Sequence, residues 1–337
     1  MAYTPTPIHR EPIRDPAAWT TASLGDDPKQ RLALRLKPAE LAAMDDLLRR
    51  TRERAPWDIT SRDAMGLAEL ARQIGTILTH GTGIVVIQGI DRSRISKEDC
   101  ERIFWALGTF FGDAAMQNAR GDRITHVKHD KSLPAGRGYR STAELSPHTD
   151  AYAIFGLMCL DRAEKGGLTR VASALALHNE ILASRPELLE TMYRGTRYAS
   201  ADARGTSVGP TPASVPIFSC IDGQVSCFYS RQNLTEAARQ SGQPLDPGFA
   251  AAADCFQALA EDRRFMIEFM LDPGEMMFAN NYVLLHARTE FEDSERHTRD
   301  LLRLWLDNAP MRPVIPQLHL FAKIYKDVFA LQREQSR

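Results

Sequence analysis

The last third of the chain constrains its fold most. Residues 265–271, 276–279, 283–286 and 301–306 are short runs of branched and aromatic residues separated by turn formers, notably Asp272-Pro273-Gly274-Glu275. Such runs are too short for ordinary helices, and turn-bounded strands at this spacing predict a β-sandwich or barrel-like core. Upstream, residues 152–160 add an apolar strand, Lys165-Gly166-Gly167 a turn, and residues 169–172 a further strand before Ser173 caps a helix. Residues 217–220 and 225–230 read as a hairpin turning at Asp222-Gly223.

Helical signals lie mostly earlier. From Pro38, the residues Leu41, Met44, Leu47 and Leu48 recur at helical spacing, with Arg49, Arg50, Arg52 and Arg54 forming a solvated face. Residues 62–79 predict a second helix with Met65, Leu70, Ile74, Ile77 and Leu78 on one side. Ser96 and Asp99 resemble a capping box for a third helix carrying Cys100, Ile103, Phe104, Leu107 and Phe110. The expected class is mixed α/β with a mainly β core and helices packed outside. We read one domain: an extended N-terminal arm (1–30), then 31–337 with a helical layer at 31–112, a core at about 113–310 and a C-terminal helix at about 317–334. The arm could pack on a neighbouring subunit of a homo-oligomer, dimer or tetramer. Residues 194–216, rich in small and turn-forming types, read equally as a lid or a surface excursion.

Composition narrows the partners. Lys+Arg at 42 against Asp+Glu at 43 leaves a net charge of -1, so no global basic field draws nucleic acid or anionic lipid. A small-molecule partner is expected. The longest apolar run, 154–160, is far short of the roughly 20 residues that span a bilayer. The first sixteen residues lack the apolar centre of a secretory signal, which by default places the chain in the cytoplasm. Five scattered cysteines fit reduced core thiols better than a disulfide framework. Gly81, Gly83 and Gly89 do not open a helix after a strand, which excludes a dinucleotide fingerprint.

The candidate chemistry begins at His148-Thr149-Asp150. Alternate residues of a strand share a face, so His148 and Asp150 would enter one cavity together. His286, at the end of the apolar run 283–285, supplies a third donor and completes a two-histidine, one-carboxylate set that leaves three positions of an Fe(II) open. The bland alternative is that both histidines are structural. His126 and His129 are weaker metal candidates because no acidic or cysteine partner is near them in sequence. Arg299 and Arg303, four residues apart in a strand-like segment, share a face with Leu301 and Trp305. An inward arginine in an apolar strand requires an anion, and its planar fork suits a carboxylate. Arg296 falls on the other parity and reads as solvated.

With these elements in order, the chain resembles the Fe(II)- and 2-oxoglutarate-dependent oxygenases of the taurine dioxygenase group. The likeness rests on His148-Thr149-Asp150, Gly166-Gly167-Leu168-Thr169, His286-Ala287-Arg288 and residues 299–306. It implies a double-stranded β-helix, or jelly-roll, core; iron held by His148, Asp150 and His286; and 2-oxoglutarate and O2 as cosubstrates. It further implies that Thr169 hydrogen-bonds a 2-oxoglutarate carboxylate, that Arg299 pairs with one, and that Arg303 faces an anionic substrate. The reaction implied is oxidative decarboxylation of 2-oxoglutarate to succinate, coupled to hydroxylation, desaturation or cyclisation of an unactivated carbon. Asp150 is retained where the family's halogenases carry a small residue, so no halogenation is expected. Gln117, Asn118, Tyr139, Tyr229 and Arg231 complete the substrate-side candidates. Two rivals stand beside this reading: a zinc hydrolase on the same ligands, and a non-catalytic jelly-roll that binds a metabolite.

Overall fold

Residues 5–118, 120–130, 140–201, 207–307 and 311–335 are described in a computed structural model. Two sheets face each other. The larger has seven strands, ordered Ala33–Arg35, Ile84–Gln88, Met276–Asn280, Ile154–Asp161, Asp300–Asp307 and Asp113–Ala114, with Ile124–Val127 also paired to Asp300–Asp307. The smaller has four, ordered Met266–Phe269, Thr169–Ser173, Leu284–Arg288 and Leu145–His148. Apart from the parallel edge pair Ala33–Arg35 with Ile84–Gln88, the pairings within both sheets are antiparallel. The result is a jelly-roll core with helices around it.

The strand Asp300–Asp307 sets the layout because every one of its residues is buried. Strand alternation sends Leu301, Arg303 and Trp305 to the inner face, opposite Cys159, Leu157 and Phe155. Leu302, Leu304 and Leu306 go to the outer face. There the helix Lys97–Gly108 covers them; Gly108 lets it approach so closely that an added Cβ would lie 2.9 Å from Leu304. In the smaller sheet His286 lies opposite His148 on one side and Val171 on the other, so these three side chains share the inner face. The helices Ala174–Ser184 and Pro247–Glu261 pack behind that sheet.

Several boundaries differ from the sequence expectation. The second helix begins at Ala68, after a 3-10 turn at Met65–Leu67, and Met65 is exposed rather than on the apolar side. The helix Arg231–Ser241, capped by Ser230, is not apparent from hydropathy because its residues are largely polar. The arm contains helical turns at Thr21–Leu24 and Pro28–Arg31 and packs on its own chain: Trp19 Nε1 donates to the Thr82 carbonyl, and Asn179 bonds both backbone groups of Ile13. The hairpin Phe218–Ile221 with Gln224–Cys227 forms as expected, with Asp222 and Gly223 both at positive φ. Within 194–216, Ala199–Ala201 pairs with Ser207–Pro210, and Tyr198, Thr211 and Val215 are buried. The five cysteines are free, and no helix among the described residues is long and apolar enough to cross a membrane.

Candidate active site

His148 ends its strand, and Asp150 lies two residues beyond it, outside the ladder. The pair therefore does not meet by simple strand alternation. Asp150 is instead held from two sides: its backbone N–H donates to Asn281 Oδ1 at 3.2 Å, and Trp305 Nε1 donates to its Oδ2 at 2.7 Å. His286 Nε2 stands 3.4 Å from Asp150 Oδ2, and His148 Nε2 4.0 Å from Oδ1. Donor atoms of the three residues all lie within 4.8 Å of one another. Phe155, from the opposite sheet, stacks on His286 with centroids 4.0 Å apart.

The protonation states suit a cation. Burial and the neighbouring His286 push His148 down to about 4, which leaves a neutral imidazole. Its Nδ1 bonds the Ser146 carbonyl at 2.9 Å, which selects the tautomer that leaves the Nε2 lone pair free toward Asp150. Burial works against the charge on Asp150, but His286, His148 and Arg303 outweigh it and hold the carboxyl below its usual range. Two histidine nitrogens and one carboxylate oxygen on one face of a pocket are the donor set that non-haem iron takes with coordination positions to spare.

Beyond the triad lies a small pocket lined by Cys159, Gly166, Gly167, Thr169, Arg299 and Leu301. Thr169 and Arg299 are both buried. Thr169 stands two positions from Val171 along one strand, about 7 Å further from the histidines on the same inner face. Gly167, at φ +72°, leaves the room Arg299 uses: a Cβ there would sit 3.1 Å from Arg299 Nε. Arg299 Nη1 donates to the Val127 carbonyl, and its guanidinium lies 5.2 Å from the centre of the Phe291 ring. Burial lowers its pKa to about 10, still charged at neutral pH. A charged guanidinium with no ion pair to a carboxylate among the described residues is a built site for an anion.

Arg303 is also buried and inward. Its Nε donates to Gln117 Oε1 at 2.7 Å, its guanidinium carbon lies 4.0 Å from the centre of the Trp305 ring, and its charge is felt at both His148 and Asp150. Gln117 is fixed further by donating to the carbonyls of Arg123 and Arg303. The remaining candidates separate from the triad. Asn118 spends its amide on a local turn with Arg120 and Asp122. Tyr229 turns away, its hydroxyl donating to the Ala253 carbonyl and its ring against Phe256. Arg231, the first residue of its helix, pairs with Asp254 at 2.6 Å. Tyr139 lies outside the described residues. His126 has acidic partners after all, Asp300 and Glu101, brought to it by the fold rather than by sequence. His129 is half-buried and joins no metal cluster among the described residues.

Three residues with clear contacts escaped the sequence reading. Trp305 reaches Asp150, as described. Arg288 is buried, donates from Nη2 to the Ser141 and Ala143 carbonyls, and so ties the segment leading into the His148 strand to the strand of His286. Burial, with a smaller push from Asp150, raises the hydroxyl of Tyr325, from the C-terminal helix Leu320–Gln335, to about 12. Arg288 left a signal in its place two residues after His286, and Trp305 in sharing a strand face with Arg303.

Comparison with known proteins agrees with this geometry. The family described as taurine catabolism dioxygenase TauD, TfdA matches residues 51–305. FR-33289 synthase of Streptomyces rubellomurinus (strain ATCC 31215) is 30% identical over 268 residues, covering 74% of this chain and 77% of that protein. A uridine-5'-phosphate dioxygenase of a Streptomyces species is 29% identical over 163 residues, 47% of this chain and 57% of its own. Among solved structures, asparagine oxygenase in complex with Fe(II), 2S,3S-3-hydroxyasparagine and succinate superposes with a TM-score of 0.67 at 17% identity, covering 82% of this chain and 93% of that one. The non-heme iron oxygenase OrfP in complex with Fe and alpha-ketoglutaric acid gives 0.60 at 16%, covering 82% and 94%. These two share the fold.

Proposed function

The chain belongs to the TauD, TfdA family, whose members are iron- and 2-oxoglutarate-dependent dioxygenases, and from that premise we propose that it oxidises a small anionic or amino-acid-like substrate. His148, Asp150 and His286 hold the iron, and Thr169 and Arg299 receive a 2-oxoglutarate carboxylate. The observation that carries this reading is the pairing of a complete triad with a separate buried cationic pocket on the same inner face. A zinc hydrolase on the same ligands would leave that pocket without a purpose.

When bound, iron with 2-oxoglutarate and O2 would supply the C–H-oxidising chemistry, one oxygen atom leaving in succinate as 2-oxoglutarate loses carbon dioxide; the protein positions the partners. Arg299 neutralises the distal end of the cosubstrate, and the Thr169 hydroxyl fixes its rotation. Phe155 and Leu157, on the sheet facing the histidines, keep the chamber apolar and exclude water. Arg303, held by Gln117, pairs with the substrate's anionic group and orients its carbon skeleton toward the metal face. Hydroxylation is the outcome we assign; desaturation or ring closure would follow from a different placement of the same skeleton. The names of two relatives, uridine-5'-phosphate dioxygenase and taurine hydroxylase-like protein, point to anionic substrates, which supports the role given to Arg303.

The test is succinate release with Fe(II), ascorbate and 2-oxoglutarate, screened over amino acids, sulfonates and nucleoside monophosphates. Stimulation by an anionic compound that is lost in Arg303→Gln supports the reading. Stimulation only by neutral or cationic compounds overturns the substrate class, and 2-oxoglutarate-independent turnover overturns the reaction.

A further inference from the structure

Asp150 lies past the end of its strand, its backbone held by Asn281 rather than by the ladder, and the terminal torsion of an aspartate is intrinsically broad. Trp305 supplies the constraint. Its indole N–H donates to Oδ2 at 2.7 Å, the same oxygen that stands 3.4 Å from His286 Nε2. The indole is in turn held by aromatic neighbours. Tyr152 lies 5.5 Å away, and Tyr325 6.3 Å away with its ring plane only 6° from that of the indole. Tyr325 belongs to the C-terminal helix, which lies beyond the stretch matched by the family. That helix is docked by Phe321 stacked on Phe228 at 4.7 Å, with Phe329 extending the column 6.0 Å from Tyr325.

We propose that Trp305 is the positioning residue for the Asp150 carboxylate in metal binding, and that the C-terminal helix, through Tyr325, keeps the indole in register with it. The inference rests on the iron-site reading above. A single N–H donor on one carboxylate oxygen directs the group before metal arrives, so the ordering cost is met by the folded protein rather than by the ion. Hydrogen bonds of this kind to a metal ligand change affinity by about 10- to 100-fold when removed. A phenyl ring keeps an aromatic contact but loses the N–H and part of the ring volume, so a weaker metal affinity at a retained melting temperature is the signature that packing alone would not give.

The test uses the full-length, metal-free protein and Co(II) as the probe, followed by calorimetric titration with and without 2-oxoglutarate. Trp305→Phe is expected to weaken Co(II) binding by roughly 10- to 100-fold. Tyr325→Ala is expected to weaken it by a smaller factor, and Tyr325→Phe, which keeps the ring, to leave it unchanged. Wild-type affinity in Trp305→Phe overturns the proposal, and wild-type affinity in Tyr325→Ala overturns the part assigned to the helix. If Trp305→Phe does not fold, indole N–H resonances of the metal-free protein decide. The chain has four tryptophans, and Asp150→Ala should move the Trp305 signal upfield while the others stay; an unmoved signal overturns the proposal. Wild-type protein that takes up no Co(II) overturns the iron-site reading itself. Normal uptake with an unaffected Trp305→Phe overturns only this inference.

Discussion

Two histidine–carboxylate clusters lie on opposite sides of the larger sheet, one on its outer face and one between the two sheets, and they have opposite electrical characters. On the outer face His126 lies between Asp300, at 2.7 Å, and Glu101, at 3.2 Å; these hydrogen bonds raise its pKa to about 9, and it is charged at neutral pH. On the inner face His148 shares one carboxylate with a second histidine, and burial pushes it down to about 4. The first cluster is a finished ion pair, with the cation already supplied by the histidine. The second offers two histidine nitrogens and one anion, a set that an added cation would complete. Which residue types are present does not distinguish them; the ratio of acids to histidines and the depth of burial do.

The comparison is broken most decisively by deleting ligands. His148→Ala or Asp150→Ala should bring substrate-stimulated succinate release to the no-enzyme baseline, whereas His126→Ala should leave turnover unchanged and lower the melting temperature by about 2 °C. Equal losses of activity from the two histidines would erase the distinction. Next in size is the proposed cosubstrate pocket. Arg299→Gln should raise KM for 2-oxoglutarate on the order of 100-fold with the Co(II) affinity retained, since truncating one side of a buried charge pair costs about 3 kcal/mol; an unchanged KM would remove Arg299 from the site.

A third probe uses pH. The folded pKa of His126 is raised above its ordinary value near 6.5, so the stability it contributes is complete below that value and is lost as pH rises through about 9. Because Glu101, Asp300 and Lys97 face it and the histidine is partly exposed, solvent screening limits the contribution to about 1 kcal/mol. Urea unfolding at pH 7 and pH 9.5 should therefore show a loss in the wild type that is absent in His126→Gln. The smallest effect is expected at Arg231, where Arg231→Ala breaks the pair with Asp254 and the contact with the Tyr229 hydroxyl and should leave kcat and both KM values within about two-fold. A larger change in KM would return Arg231 to the chamber.

How much of this was written in the sequence depended on the range of the contact. The turn-bounded strands of the last third, the alternation that groups Arg299 with Arg303, and the Asp-Gly hairpin turn are local patterns, and each has a local cause. His286 could be attached to His148 because a donor set needs a third member, and the family likeness supplied Thr169. Tyr229 and Arg231 were placed by proximity to the strands, but Ser230 caps a helix there, and the chain direction carries both side chains away from the metal side. His126 lacked visible partners because Glu101 comes from a helix and Asp300 from a strand far along the chain. Trp305 and Tyr325 were invisible as functional groups for the same reason: an aromatic residue in an apolar strand or helix reads as core, and only the three-dimensional neighbour gives its N–H or its ring a task.

The strand Asp300–Asp307 serves both faces at once, with Arg303 and Trp305 inward and Asp300 and Leu302 outward. Its information is therefore carried by parity. A substitution there alters one contact, but a one-residue deletion just before Leu301 would exchange the two faces, burying aliphatic side chains where the anion and carboxylate contacts belong and pressing an arginine and an indole against a helix. A substitution in this strand is therefore felt at one contact, whereas a change in its length is felt at all of them.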